Sequence, residues 1–206
     1  MNNSKTPSLL LSLDENSIKE ISRTLFKELL DQGESLCLRV RGTSMGYIIQ
    51  ENDLITIKKT ANEKLKSGDI ILFNHSDHFF CHRIINCYEK NNETYYITKG
   101  DVLLQTDEPL LARQIIGKVH RINRGNKIIN LSSPFARAVG SCIAFYSKSI
   151  SYLYGRCGFY QQSWGNPQNS TLPIWMRRSI ERALRLPIKI LTSLLIITSR
   201  SHKILS

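Results

Sequence analysis

The chain has 206 residues, of which 41% are hydrophobic and 22% charged, with a formal net charge of +11. Those proportions are those of a folded soluble or peripheral protein, and the length suffices for one core and a small appendage. Five scattered cysteines (Cys37, Cys81, Cys87, Cys142, Cys157) form no Cys-x-x-Cys pair, so reduced thiols are expected rather than a disulfide framework or a zinc site.

The first thirteen residues read as a loose lead-in, and Asp14 or Ser17 is the expected N-cap of a helix. Ile18, Ile21, Leu25, Leu29 and Leu30 recur at helical spacing, and Asp31-Gln-Gly33 stops the pattern. No secretory signal peptide is read here, because Ser8 to Leu13 is too short for an apolar signal core. A single short amphipathic helix is also no helix-turn-helix, which argues against a DNA-binding domain.

From Glu34 to about Leu131 the pattern changes to strands. Short β-branched or aromatic runs are expected at residues 36–40, 54–58, 70–73, 79–85, 94–98, 115–122 and 127–131. Turn residues such as Asn52-Asp53, Ser67-Gly68-Asp69, Asn91-Asn92 and Arg124-Gly125-Asn126 separate them. Seven short strands in so small a span predict an all-β module, curled or barrel-like.

Past Ser132-Ser-Pro134 the chain turns helical and basic. Phe135 to about Tyr154 and Ile174 to about Ser199 read as helices, the second broken or kinked at Pro187, with a polar linker at 161–173. Residues 131–206 hold ten Lys or Arg and one acid, Glu181, so they carry +9 of the net +11. In the second helix Ile174, Ile180, Ala183 and Leu184 interleave with Arg177, Arg178, Arg182 and Arg185. That mixture suits an anionic membrane interface as well as a helical hairpin packed on the β-module with a solvated basic face. The run Leu186 to Thr198 carries Pro187 and Lys189 and falls short of the roughly 20 apolar residues that span a bilayer. The organisation expected is therefore 1–33 lead-in and helix, 34–131 all-β core and 132–206 basic helical region.

Within the β-region the turn Gly42-Thr43-Ser44-Met45 places a small hydroxyl on an exposed corner. It is followed in order by Asn52-Asp53, Gly68-Asp69-Ile70, His82-Arg83, Lys99-Gly100-Asp101, Asp107 and Ile116-Gly117-Lys118-Val119. The ordered series resembles the type I signal peptidases, in the Ser-His branch shared by the endoplasmic reticulum and archaea, which have an S24/S26-type peptidase core. It covers roughly residues 36–122. The self-cleaving repressors of the DNA-damage response share that core, but they pair Ser with Lys and add an N-terminal helix-turn-helix. The resemblance implies a mainly β fold like that of signal peptidases and these repressor proteases.

The resemblance further implies Ser44 as nucleophile and His82 as general base, with Asp101 or Asp107 orienting the imidazole. Asp107 is favoured for that role and Asp101 for the turn. A Ser hydroxyl needs a neighbouring base to become nucleophilic, and His titrates near the useful pH. His82 shares one strand face with Phe80 and Ile84, while Phe79, Cys81 and Arg83 share the other. The expected activity is endoproteolysis of a leader or signal segment on a peptide or preprotein, through an acyl-enzyme and without a cofactor. The backbone N–H of Ser44 would be one oxyanion donor.

Three positions depart from the family pattern: Gly42 replaces a hydroxyl that often donates to the oxyanion, Tyr47 replaces a Pro, and Asn52 replaces a Gly. A membrane anchor of the kind usual in signal peptidases is not evident in the sequence and a basic helical tail follows instead, so a cytoplasmic enzyme or one peripheral at the inner membrane face is expected. The His75-Ser-Asp77-His78 stretch preceding His82 reads as loop then strand, not as a metal motif. Two other classes compete with an enzyme. One is an inactive peptide-binding or scaffolding relative. The other is a basic membrane-surface or nucleic-acid-binding protein, although the C-terminal aromatics form no stacking platform for bases.

Overall fold

The computed structural model describes residues 24–61, 64–75, 78–156 and 174–198. It shows an antiparallel β core with a short N-terminal helix and two C-terminal helices, as the sequence predicts. The first helix, α1, is described over residues 24–31 and ends at Gly33, whose φ of 84° is the left-handed conformation common after a helix. Leu30 is buried, and Phe26 packs on Phe79. Leu25, expected on the apolar face, is instead exposed; that face passes through Phe26, Leu29 and Leu30. The proposed caps Asp14 and Ser17 lie outside the described residues.

The strands are β1 (Ser35–Arg39), β2 (Leu54–Lys58), β3 (Ile70–His75), β4 (His78–Lys90), β5 (Glu93–Lys99), β6 (Leu110–Leu111), β7 (Ile115–Arg124) and β8 (Lys127–Asn130). They form one sheet in the order β1-β2-β7-β3-β4-β5-β6, and β8 pairs with β7. Asn91 and Asn92 join β4 to β5 with φ of 53° and 60°. Two consecutive positive φ values match the right-handed strand twist in a two-residue hairpin, and Asn tolerates them better than most side chains. This turn lets β4 run to Lys90, where Lys90 pairs with Glu93, well past the predicted end at Ile85.

Both faces of the sheet are covered by apolar side chains. On one side Leu36, Ile55, Ile57, Val119 and Ile122 pack with Leu30 of α1 and with the C-terminal helices. On the other, Leu65, Ile71, Phe73, Ile84, Tyr96 and Leu110 form a smaller cluster. Each of these large side chains, when fully buried, contributes roughly 1.5–3 kcal/mol. The two clusters explain why β3, with neighbours on both faces, reads as a continuous apolar run, Ile70-Ile-Leu-Phe73.

The C-terminal helices are α2 (Pro134–Arg156) and α3 (Ile174–Ile197). Ala136, Val139 and Ile143 of α2, with Ile188 and Leu195 of α3, join the larger cluster. The Tyr146 hydroxyl donates to the Leu184 carbonyl at 3.0 Å, tying the two helices together. Of the break or kink expected at Pro187, the break does not occur: α3 is continuous through that residue. Pro187 removes one N–H from the helical ladder, but Ile188, Thr192 and Leu195 are buried directly after it and hold the helix in place. The linker predicted at 161–173 lies outside the described residues.

The contact between α2 and the β core is made at two glycines. A Cβ on Gly68 would lie 2.7 Å from the Gly140 backbone, and one on Gly140 would lie 2.9 Å from the Gly68 oxygen. Gly68 also has φ of 102°, so its turn and its close approach both exclude a side chain.

Candidate functional site: a Ser-His-Asp arrangement

The chain leaves β1 and makes a short helical turn before returning along β2. Gly42, with φ of 102°, starts it, and backbone bonds from Gly46 to Thr43 and from Ile48 and Ile49 to Met45 wind it. Met45, Ile48 and Ile49 are buried in the larger cluster, so they anchor the turn while Ser44 stays half-buried at the surface. Tyr47 packs partly buried against the same cluster.

A second clamp comes from Asp53. Its carboxylate accepts from the Gln50 N–H at 2.7 Å and from Arg124, whose Nη2 also donates to the Ile48 carbonyl at 2.9 Å. Asn52 takes φ of 69°, a left-handed conformation that Asn tolerates better than most side chains. Arg124 thus stitches the Ser44 turn to the end of β7.

His82 projects from β4 on the side of the smaller cluster, where its ring meets the edge of Phe73 and tilts against Phe80. It is only 3% exposed. Its Nε2 lies 3.0 Å from Ser44 Oγ, and its Nδ1 lies 2.7 Å from Asp107 Oδ2. The Thr98 hydroxyl donates to the same Asp107 oxygen at 2.6 Å, and the Asp107 N–H donates to the Thr98 carbonyl at 2.8 Å. Thr98 therefore fixes both ends of Asp107. With Nδ1–H donating to Asp107 Oδ2, the imidazole is held in the tautomer that leaves the Nε2 lone pair facing the Ser44 hydroxyl. Such a relay removes the hydroxyl proton as the oxygen attacks an electrophile.

Asp101, the other candidate for orienting the imidazole, is held elsewhere. Arg83 points to the opposite face of β4 from His82 and grips Asp101 with Nε at 2.9 Å and Nη2 at 2.7 Å. Its Nη1 donates to the Gly68 carbonyl at 2.8 Å. This bidentate pair is buried on both sides. Beside it the Lys99 amine donates to the carbonyls of Leu103 at 2.6 Å and Gly100 at 3.2 Å. Burial pushes the Lys99 amine down to about 8, opposed by the charge of Asp101. Burial and then the Asp101 charge push the nearby Cys81 thiol up to about 12, with Arg83 opposing. A thiol held neutral in this way is a packing group, not a nucleophile.

The loop held by Lys99 and Asp101 also touches the hydroxyl-bearing turn. Val102 N–H donates to the Ser44 carbonyl at 3.1 Å, and a Cβ on Gly100 would sit 2.7 Å from that oxygen. The Asp101 N–H additionally points at Met45 Sδ at 3.4 Å. Four of the sequence motifs thus converge on one place, with Ser44, His82 and Asp107 in the relay and Asp101 beneath it. Thr98 was the member missed by sequence reasoning. Alternation along β5 places it on the face opposite Lys99, and its register partner Ile84 follows two residues after His82.

An antiparallel β core bearing a serine, a buried histidine and an aspartate within hydrogen-bonding reach is the framework of a serine peptidase. A family model for Peptidase S24-like proteins matches residues 11–119, more than half of the chain. The chain belongs to this Peptidase S24-like family and contains an S24-like serine peptidase domain. No curated protein matches it.

Proposed function

We propose that this protein is a serine endopeptidase of signal-peptidase-like type that removes a leader or signal segment from a peptide or preprotein. The observation that carries the reading is the continuous relay from Ser44 through His82 to Asp107, with contacts of 3.0 and 2.7 Å. Ser44 Oγ attacks the substrate carbonyl while His82 Nε2 accepts its proton and then delivers it to the leaving amine. Water, deprotonated by the same nitrogen, hydrolyses the ester. The Ser44 N–H stabilises the oxyanion, and Asp107 and Thr98 hold the imidazole in the reactive tautomer. The ordered motifs noted above support the signal-peptidase-like substrate class, and a cytoplasmic or inner-membrane-face location suits it.

The reading is tested by incubating the protein with a library of peptides rich in small residues and by labelling it with a serine-directed fluorophosphonate. Defined cuts, with the label mapped to Ser44 by mass spectrometry, are expected. A folded protein that neither cuts nor takes the label would point to a peptide-binding module instead.

Asp107→Asn is expected to lower kcat/KM by about 10³–10⁴-fold with little change in thermal stability. The amide NH₂ would donate to Nδ1 and place the imidazole proton on Nε2, facing the hydroxyl it should deprotonate. Cleavage kinetics with a substrate from the library would check this, and a loss below tenfold would remove Asp107 from the relay.

A further inference from the structure

We propose that the helical pair α2–α3 docks on an anionic lipid bilayer through the faces that it turns away from the β core. Among the described residues no helix is long and apolar enough to cross a membrane, so the contact is with a surface. The second half of α3 buries Ile188, Thr192 and Leu195 against the protein. On its opposite side Leu186, Ile190, Leu194 and Ile197 repeat at spacings of four, four and three, one unbroken stripe along the helix. These four are exposed, Ile190 by 53% and Ile197 by 75%. A helix apolar on two opposite faces has one face more than the fold needs.

The outward side of α2 adds two exposed aromatics. Ala136, Val139, Ile143 and Ile150 face the protein, while Phe145, 74% exposed, and Tyr152 face outward. Basic side chains border both outward sides. Arg182 and Lys189, seven residues apart, follow one edge of the α3 stripe, and Arg137 and Lys148 follow the corresponding edge on α2. Lys148 also donates to Asn86 at 3.0 Å.

Charge selects the occupant. Residues 131–206 carry +9 of the net +11, with Glu181 their single acid, so a second copy of this chain would bring like charge to like charge. Nucleic acid would satisfy the basic border and leave the aliphatic stripe without a partner. An anionic bilayer meets both requirements, taking Leu and Ile among its acyl chains and Arg and Lys among its headgroups.

The test is vesicle flotation of the full chain with phosphatidylcholine alone and with added phosphatidylglycerol. Binding to the anionic vesicles only, weakened by salt, is expected. The pair Ile190→Glu and Leu194→Glu should weaken it at least about tenfold, as should Arg182→Gln with Lys189→Gln. Circular dichroism and thermal unfolding check each variant, and Phe145→Glu on α2 replaces the α3 pair if that pair does not fold. Absence of binding, or binding unchanged by the stripe substitutions, overturns the proposal. So does a concentration-dependent dimer that the stripe substitutions dissolve. Flotation reads no cleavage, so its failure is separate from failure of the peptidase reading.

Discussion

Turnover by the Ser44→Ala variant is expected to fall by about 10⁴–10⁶-fold, while its unfolding midpoint stays close to that of the parent. The substitution removes only Oγ, whose bond in the structure is the 3.0 Å contact with His82 Nε2. The half-buried position of Ser44 and the burial of Met45, Ile48 and Ile49 around it mean that the turn does not rely on the hydroxyl. His82→Ala should cost a similar amount, because either loss leaves a nucleophile without a base or a base without a nucleophile. The double variant should therefore be little worse than either single one, since groups acting as one unit are not additive. Single-turnover cleavage of the three variants measures this. A double variant whose loss is the product of the two single losses would show that Ser44 and His82 act independently, and the relay would be wrong.

The largest stability effect is expected at Asp101. Asp101→Ala should cost about 3–5 kcal/mol, against the 5–15 kcal/mol that holds a typical domain together. The reason is what remains. Arg83 keeps only the Gly68 carbonyl as an acceptor for a guanidinium that is almost wholly buried. Lys99, already pushed down to about 8 by burial, loses the larger of the two negative charges that oppose the shift, Asp107 being the smaller. Arg83 would then be buried with no carboxylate to pair with. Urea unfolding of parent and variant checks the magnitude, and a change under about 1 kcal/mol would show that water reaches Arg83. Replacing both partners by apolar residues, Arg83→Leu with Asp101→Ala, should cost less than the single change, since no charge is stranded.

How far the sequence leads depends on how local each signal is. The strands are legible because β-branched runs and turn residues act over a few residues, and β2 follows the predicted 54–58. The two-residue β6 is too short to carry any periodicity and exists because it pairs with Tyr95 and Tyr96 of β5. Among the site residues, the positions of Ser44, His82 and the two aspartates are legible from the order of short motifs. Which aspartate meets His82 is a matter of strand faces: Arg83 and His82 point in opposite directions, and each takes the carboxylate on its own side. Thr98 carries no motif of its own. The role of Arg124 depends on a partner 71 positions away, a distance over which spacing carries no information.

The paired glycines 68 and 140 have a consequence for how this protein can be divided. Gly68 receives Arg83 on its carbonyl, and its N–H donates to Ile84, so it is bonded to the strand that carries His82. Gly140 rests directly on it with no room for even a methyl group. Prying α2 away would uncover Arg83 and loosen β4 one residue from the imidazole. The helices are thus a back wall of the peptidase and not a detachable handle. The smallest piece that could be transplanted intact into another protein includes them together with the sheet.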